Sequence, residues 1–323
     1  MSTLARALVW VSLVAPVVAC SSSETPGDAG GDASGEDAAA DAPSDAPAES
    51  GFPSCDATKP FGAPALIAEL STAADDLFPR LTPDELTVYF ERYNGPDAGS
   101  GGKGGSDLLV ATRASATTPF GAATFLTSVN GPSNDFDPSV TGDDLTLFFS
   151  STRTGGAGNT DLWVATRSDT SSDFGNVTDL ASLDTADNEH TPYALPNGLT
   201  LYFTGTSGSA IERATRASPT DAFALDTSSV LAGVNTSGAE VAPVVSPDEL
   251  TMYFASQRTG SQLLDVYVAT RADASSAFGS VARVDAVDTA GNDAPGFVSP
   301  DGCRLYLHSD VAGSYDLYVA TKP

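Results

Sequence analysis

SPDELTMYFASQRTG (246–260), followed at 264–271 by LDVYVATR, decides the fold of this chain. The Pro-Asp-Glu turn feeds a run of β-branched and aromatic residues, a polar loop follows, and a second β-rich run ends in an arginine. That order predicts a hairpin of two strands. The phrase is not alone. VATR or a close variant recurs at 110–113, 164–167, 213–216, 268–271 and 319–322, with spacings of 54, 49, 55 and 51. Periods of this length belong to propellers and solenoids rather than to domains with a single core.

Each copy has the same parts. A turn, TPDE (82–85), TGDD (141–144), LPNG (195–198), SPDE (246–249) or SPDG (299–302), precedes the strands LTVYF (86–90), LTLFF (145–149), LTLYF (199–203), LTMYF (250–254) and RLYLH (304–308). Before the turn stands a short run such as FPRL (78–81) or DPSV (137–140), and after VATR comes a segment such as FGNVTDLASL (174–183). Four strands in about fifty residues, joined by tight turns, make one propeller blade. Helical periodicity is absent. The chain therefore reads as all-β, a five-bladed β-propeller of four-stranded antiparallel blades over 53–323. Its fifth unit stops after a third strand at 320–323, whereas the domain opens on ATKPFG (57–62) and APALIAEL (63–70). The N-terminal strand is expected to complete the last blade and so remove a free edge. Cys303 opens the second strand of that blade and Cys55 precedes its fourth, which puts both at one end of the sheet. A Cys55–Cys303 disulfide that locks the closure follows.

The N-terminus carries an address. Residues 1–19 hold Arg6 and then a short apolar run, too short for a permanent span, ending in VVAC (17–20). This resembles the bacterial lipobox, and the resemblance implies that Cys20 is lipidated and becomes the mature N-terminus. Ser21 after Cys20 implies the outer membrane under the enterobacterial sorting pattern, on its periplasmic or outer side. Residues 20–52 contain almost only Ala, Asp, Glu, Gly, Pro and Ser and predict a disordered acidic tether.

The SPDE and SPDG turns, the LTMYF strand and the SxRTG loop before a DLYVAT strand resemble the WD-forty-like propeller repeat of TolB and its relatives. The clearest copies are SSTRTGGAGNTDLWVATR (150–167) and SPDELTMYFASQRTG (246–260). The third unit departs most, with LPNG for SPDG, TGTSG (204–208) without the arginine, and AIERATR (210–216) for DLYVATR. TolB itself has six blades and an extra N-terminal domain, and this chain predicts neither.

The formal charge is −27; the propeller keeps 34 acids against 14 bases. That excludes nucleic acid as a partner and direct adhesion to anionic lipid, and favours cations, basic partners or solubility. A closed ring predicts a monomer.

An acid stands just before the first strand of every unit: Asp76, Asp135, Glu189, Glu240 and Asp293. First strands line a propeller axis, so these five are expected to ring one channel mouth, with His190 beside Glu189. Two readings are open. The ring binds a cation such as Ca²⁺, or two of its carboxylates act as acid and base on a sugar. Alternatively the acids belong to the repeat and pair with Arg92, Arg153 and Arg258 between blades. His308, the other histidine, lies far from His190 in the repeat and no zinc spacing occurs. The glycines at 99–105 lack the Lys-Ser/Thr that a phosphate cradle needs. Tyr89, Phe148, Tyr202, Tyr253 and Tyr306 are periodic and read as inter-blade core. No cofactor is implied. The sequence thus supports a membrane-anchored, non-enzymatic binding or scaffold module for a protein or peptide partner, with a glycan-binding or glycoside-hydrolysing propeller as the alternative.

Overall fold

A computed structural model describes residues 51–52, 54–94, 102–205, 209–258 and 263–323. The signal segment, Cys20 and the tether as far as Ser50 lie outside the described residues.

Twenty strands form five separate four-stranded antiparallel sheets. In chain order, β1 (Ala65–Leu66) comes first and stands apart from its neighbours in sequence. Blade 1 is β2 (Asp75–Leu81), β3 (Thr87–Tyr93), β4 (Ser106–Thr112) and β5 (Thr124–Phe125). Blade 2 is β6 (Asp135–Val140), β7 (Thr146–Ser151), β8 (Asp161–Thr166) and β9 (Gly175–Asp179). Blade 3 is β10 (His190–Ala194), β11 (Thr200–Gly205), β12 (Ala210–Thr215) and β13 (Ala224–Leu225). Blade 4 is β14 (Glu240–Val245), β15 (Thr251–Ser256), β16 (Asp265–Thr270) and β17 (Gly279–Arg283). Blade 5 joins β18 (Asp293–Val298), β19 (Arg304–Ser309) and β20 (Asp316–Thr321) to β1, in the order β1-β20-β19-β18. The inner strands β2, β6, β10, β14 and β18 each touch the next, and β18 touches β2, so the ring closes. The five-bladed all-β propeller expected from the repeats is the observed fold.

Closure runs through the first ordered stretch of chain. Ala65 pairs with Val319 and Leu66 with Tyr318. The pairing extends on both sides, with Asp56 N donating to Pro323 O at 2.7 Å, Gly62 N to Thr321 O at 2.8 Å and Ile67 N to Leu317 O at 2.8 Å. Cys55 and Cys303 are bonded, their Cα atoms 6.0 Å apart. Phe52, placed in the tether by composition, already stacks on the Arg304 guanidinium at 3.8 Å.

The turn phrase owes its form to two local effects. Its first hydroxyl donates to the Asp two residues on, as Thr82 to Asp84, Thr141 to Asp143 and Ser246 to Asp248, each at 2.6 Å. Its fourth residue has positive φ, at Glu85 (59°), Asp144 (59°), Gly198 (66°), Glu249 (58°) and Gly302 (69°). Glycine takes that conformation freely, whereas the three acids are strained there. Their carboxylates explain why they stay. Tyr89 Oη donates to Asp144 at 2.8 Å and Tyr306 Oη to Glu85 at 2.7 Å, each from the blade before, and Arg167 and Arg304 close ion pairs on the same acids.

The recurring arginine and the phenylalanine that follows it by seven residues answer one another. Arg113 lies over Phe120, Arg167 over Phe174, Arg216 over Phe223 and Arg271 over Phe278, at 4.2–4.5 Å, and Lys322 lies over Phe61 at 4.7 Å. Cation–π contact thus ties each third strand to the start of the fourth segment.

The disulfide joins residues 248 apart in sequence. The chain-entropy model gives such a loop an upper value of roughly 5 kcal/mol. Reduction, or Cys303→Ser, is expected to lower the melting temperature by ten degrees or more, and the unreduced denatured propeller should show no titratable thiol from Cys55 or Cys303. Two reactive thiols would contradict the bond.

Candidate functional site

All five mouth acids stand at the start of the inner strands, and all are buried. Asp76, Asp135, Glu240 and Asp293 are 0% exposed and Glu189 1%. Each carboxylate folds back on the loop four residues upstream. Thr72 N donates to Asp76 at 2.8 Å, Gly131 N to Asp135 at 2.6 Å, Thr185 N to Glu189 at 3.2 Å, Thr236 N to Glu240 at 2.8 Å and Thr289 N to Asp293 at 2.7 Å. Threonine hydroxyls from the same positions add a second bond in the four loops that have one. The acid therefore caps the loop that enters each blade and satisfies its backbone donors.

Three of the acids also meet arginine. Arg92 reaches Asp76 at 2.6 Å, Arg153 contacts Asp135, and Arg258 lies 3.5 Å from Glu240. These ion pairs join the first and second strands of one blade, not two blades as the sequence suggested, because the arginine sits at or just beyond the residue paired with the acid: Asp76 faces Arg92, Asp135 faces Ser151 and Glu240 faces Ser256. Burial raises the Asp76 pKa against the pull of Arg92.

Glu189 has a different neighbourhood. No arginine contacts it among the described residues, and Gly205 occupies the second-strand position that holds Arg92, Ser151, Ser256 and Ser309 elsewhere. Instead Asp161, Asp184 and Glu189 bring one carboxylate oxygen each to within 4.8 Å of one another. Burial, then Asp179 and the other acids, pushes Asp184 up to about 7. Hard oxygen donors gathered in this way are the ligand type of a Ca²⁺-like cation. Of the five mouth acids, Glu189 alone belongs to such a group among the described residues.

The channel holds a second set of polar residues that the repeat pattern did not single out. Each of the first four inner strands bulges at the second residue after its acid, at Phe78 (φ 50°), Asp137 (53°), Thr191 (51°) and Ala242 (54°). The bulged N–H turns to a side chain of the blade before it. Phe78 N donates to His308 Nδ1 at 3.2 Å, Asp137 N to Glu91, Thr191 N to Asp137 Oδ2 at 3.0 Å and to Ser150 Oγ at 3.2 Å, and Ala242 N to Thr191 Oγ1 at 3.3 Å. Thr191 and Thr204 hydroxyls share a 2.6 Å bond. His308 is held down to about 3 by burial, then by Arg80, which keeps Nδ1 an acceptor. Glu91 is pushed up to about 8 by burial and then by Asp137, and Asp137 is raised by burial against the opposing charge of His190. His190 thus acts by its charge on Asp137, and His308 is part of the ring itself.

Arg80, Glu91 and Asp137 were not among the residues that the sequence singled out. The signal was available in a different form. Glu91 stands where other blades carry Ser150, Thr204, Ala255 and His308, and Arg80 where they carry Ser139, Tyr193, Val244 and Phe297. A charge at one copy of a repeat position marks asymmetry; an acid at every copy marks the repeat.

No family model matches the sequence, and no curated protein does. Among solved structures, TolB from Acinetobacter baumannii is similar over 78% of this chain and 56% of its own, at 16% identity and a TM-score of 0.48, so this chain spans little more than half of that protein. Putative TolB from Agrobacterium tumefaciens matches over 77% of this chain and 76% of its own, at 17% identity and 0.45. A GH43_1 enzyme from Xanthomonas citri matches over 80% and 90%, at 14% identity and 0.55. At such identities the likeness is one of fold.

The Glu91 shift fixes a pH dependence. A carboxyl whose pKa is raised from 4.5 to about 8 on folding adds stability below pH 4.5, and that contribution is lost as pH rises toward and past 8. Unfolding midpoints in urea should therefore fall between pH 5 and pH 9, and Glu91→Gln should flatten part of that fall, the remainder belonging to groups such as Asp184, which is raised to about 7. An unchanged slope in the variant would assign the titration elsewhere.

Proposed function

We propose that this chain is a cell-envelope lipoprotein, anchored at the outer membrane through a lipid on Cys20, whose propeller is a non-enzymatic binding or scaffold module for a protein or peptide partner. The observation that carries this reading is the state of the mouth carboxylates. A hydrolase needs one carboxyl free to give a proton to substrate and a second free to attack or to activate water. The five acids here are 0–1% exposed and spend their oxygens on their own loops and, in three of them, on arginine. What each blade offers outward is its turns and outer strands. The Cys55–Cys303 bond supports an exported address, since such bonds persist in oxidising compartments. The surplus of acids favours a partner with a basic surface, met by long-range attraction that salt weakens.

The test uses the full chain in cells. The wild type is expected in the membrane fraction and Cys20→Ser in the soluble fraction, and in-cell crosslinking of the wild type should recover the same partner in repeated trials, less of it at high salt, and none with an unrelated lipoprotein. Recovery no different from that control would sink the binding role. Glycan turnover by the purified propeller that falls at least a hundredfold in Glu189→Gln or Glu240→Gln would replace it with the hydrolase reading.

A further inference from the structure

The repeat places one residue of each inner strand at a common level of the axis, opposite the second-strand aromatic. These residues are Arg80, Ser139, Tyr193, Val244 and Phe297, paired with Tyr89, Phe148, Tyr202, Tyr253 and Tyr306. Arg80 is the one charge among them. Its guanidinium crosses the channel. It donates to Gly296 O in blade 5 and, at 3.4 Å, to Pro192 O in blade 3, and it lies 4.8 Å over the Tyr193 ring. Blades 1 and 3 are not neighbours, so these contacts pass through the axis.

Arg80 is 2% exposed, no ion pair among the described residues includes it, and its Nε has no hydrogen-bond partner among them. Asp137 acts on it through space, without a hydrogen bond to it, and the Asp137 Oδ2 accepts from Thr191 N and Ser150 Oγ. Burial lowers its pKa to about 10, which leaves it a cation at neutral pH. A buried cation without a contact anion is costly, and the cost falls when a counter-ion shares the site. Beside it is a cavity of about 20 Å³, lined by Arg80, Ser139, Tyr193 and Phe297 and by the turn residues Pro83 and Pro196. That is room for one solvent-sized guest. Ser139 Oγ accepts Ala194 N at 2.9 Å, so its own proton is free to donate.

We propose that the axial channel binds one small monovalent anion of the chloride class, held by the Arg80 guanidinium and the Ser139 hydroxyl against the apolar wall of Phe297. Size excludes sulfate and phosphate. Apolar walls favour a weakly hydrated ion, so bromide should replace chloride.

Thermal unfolding of the wild-type propeller in sodium chloride, bromide and gluconate at equal ionic strength tests this. The melting temperature should rise by about 3 °C in saturating halide over gluconate, as binding to the folded state requires. The rise should vanish in Arg80→Met and shrink in Ser139→Ala. Should Arg80→Met fail to fold, the wild type still decides the matter: crystals soaked in bromide should show an anomalous peak within about 3.5 Å of the Arg80 guanidinium, at hydrogen-bond range. Coincident melts in halide and gluconate, a halide effect that survives Arg80→Met, or bromide peaks only on the outer surface would overturn the proposal.

Discussion

An inner propeller strand has a sheet partner on one side only, and everything in this ring depends on how the N–H groups on its open side are satisfied. A buried donor without an acceptor costs on the order of 1–3 kcal/mol. Here four inner strands bulge at a residue of positive φ and hand that donor to a side chain of the blade before. Positive φ at Phe78, Asp137 and Thr191 carries its own strain, about 1–3 kcal/mol each, which persists only where surrounding contacts fix it. The fifth position shows that the donor is what matters. Blade 5 has Pro295 there, with no N–H to satisfy and no access to positive φ, and the side chain that blade 4 would turn to it is Ala255, with no acceptor. Donor and acceptor are lost together.

The same matching holds at the turn end of the blades. Tyrosine from one blade, an acid at the positive-φ turn position of the next and an arginine meet three times, around Asp144, Glu249 and Glu85. Where the second-strand aromatic is Phe148 the facing turn residue is Gly198, so neither the hydroxyl nor the carboxylate is present. At the remaining junction Tyr253 keeps its hydroxyl although the facing turn residue is Gly302, so a strained acid stands only opposite a tyrosine, but a tyrosine does not require one. Blade-to-blade adhesion is therefore a set of paired choices laid over a common apolar core.

How far the sequence was legible follows from this division. Blade number, the closing strand and the disulfide could be read because turns, strands and cysteines obey local rules that repeat with the period. The Arg–Phe stack could not be derived as a contact, although both residues recur, because its partners meet only once the third strand and the following loop are folded. The mouth acids were legible as positions, whereas the partners of their carboxylates were not. Nothing local says that Asp76 turns back on Thr72 N rather than outward, since a carboxylate before a strand suits either. Arg80, Glu91 and Asp137 were hidden for the opposite reason. They break the period, and alignment of the copies suppresses what is not shared.

Those breaks are where the molecule stops being five-fold. At the axis, one arginine, a carboxyl pair that shares a raised pKa and a neutral histidine replace what a symmetric ring would make identical. At the junction of blades 2 and 3, the loss of an arginine leaves Glu189 beside Asp161 and Asp184, and the crowding is relieved by a proton that Asp184 holds to about 7. Both places sit against scaffolding that the repeats fix from every side, so a misfit charge there cannot relax by moving and must change its protonation or find a counter-charge. A symmetric fold thus concentrates its unbalanced electrostatics at a few positions, and a ligand specific to this chain rather than to propellers at large has to be recognised through them or through the turns they support.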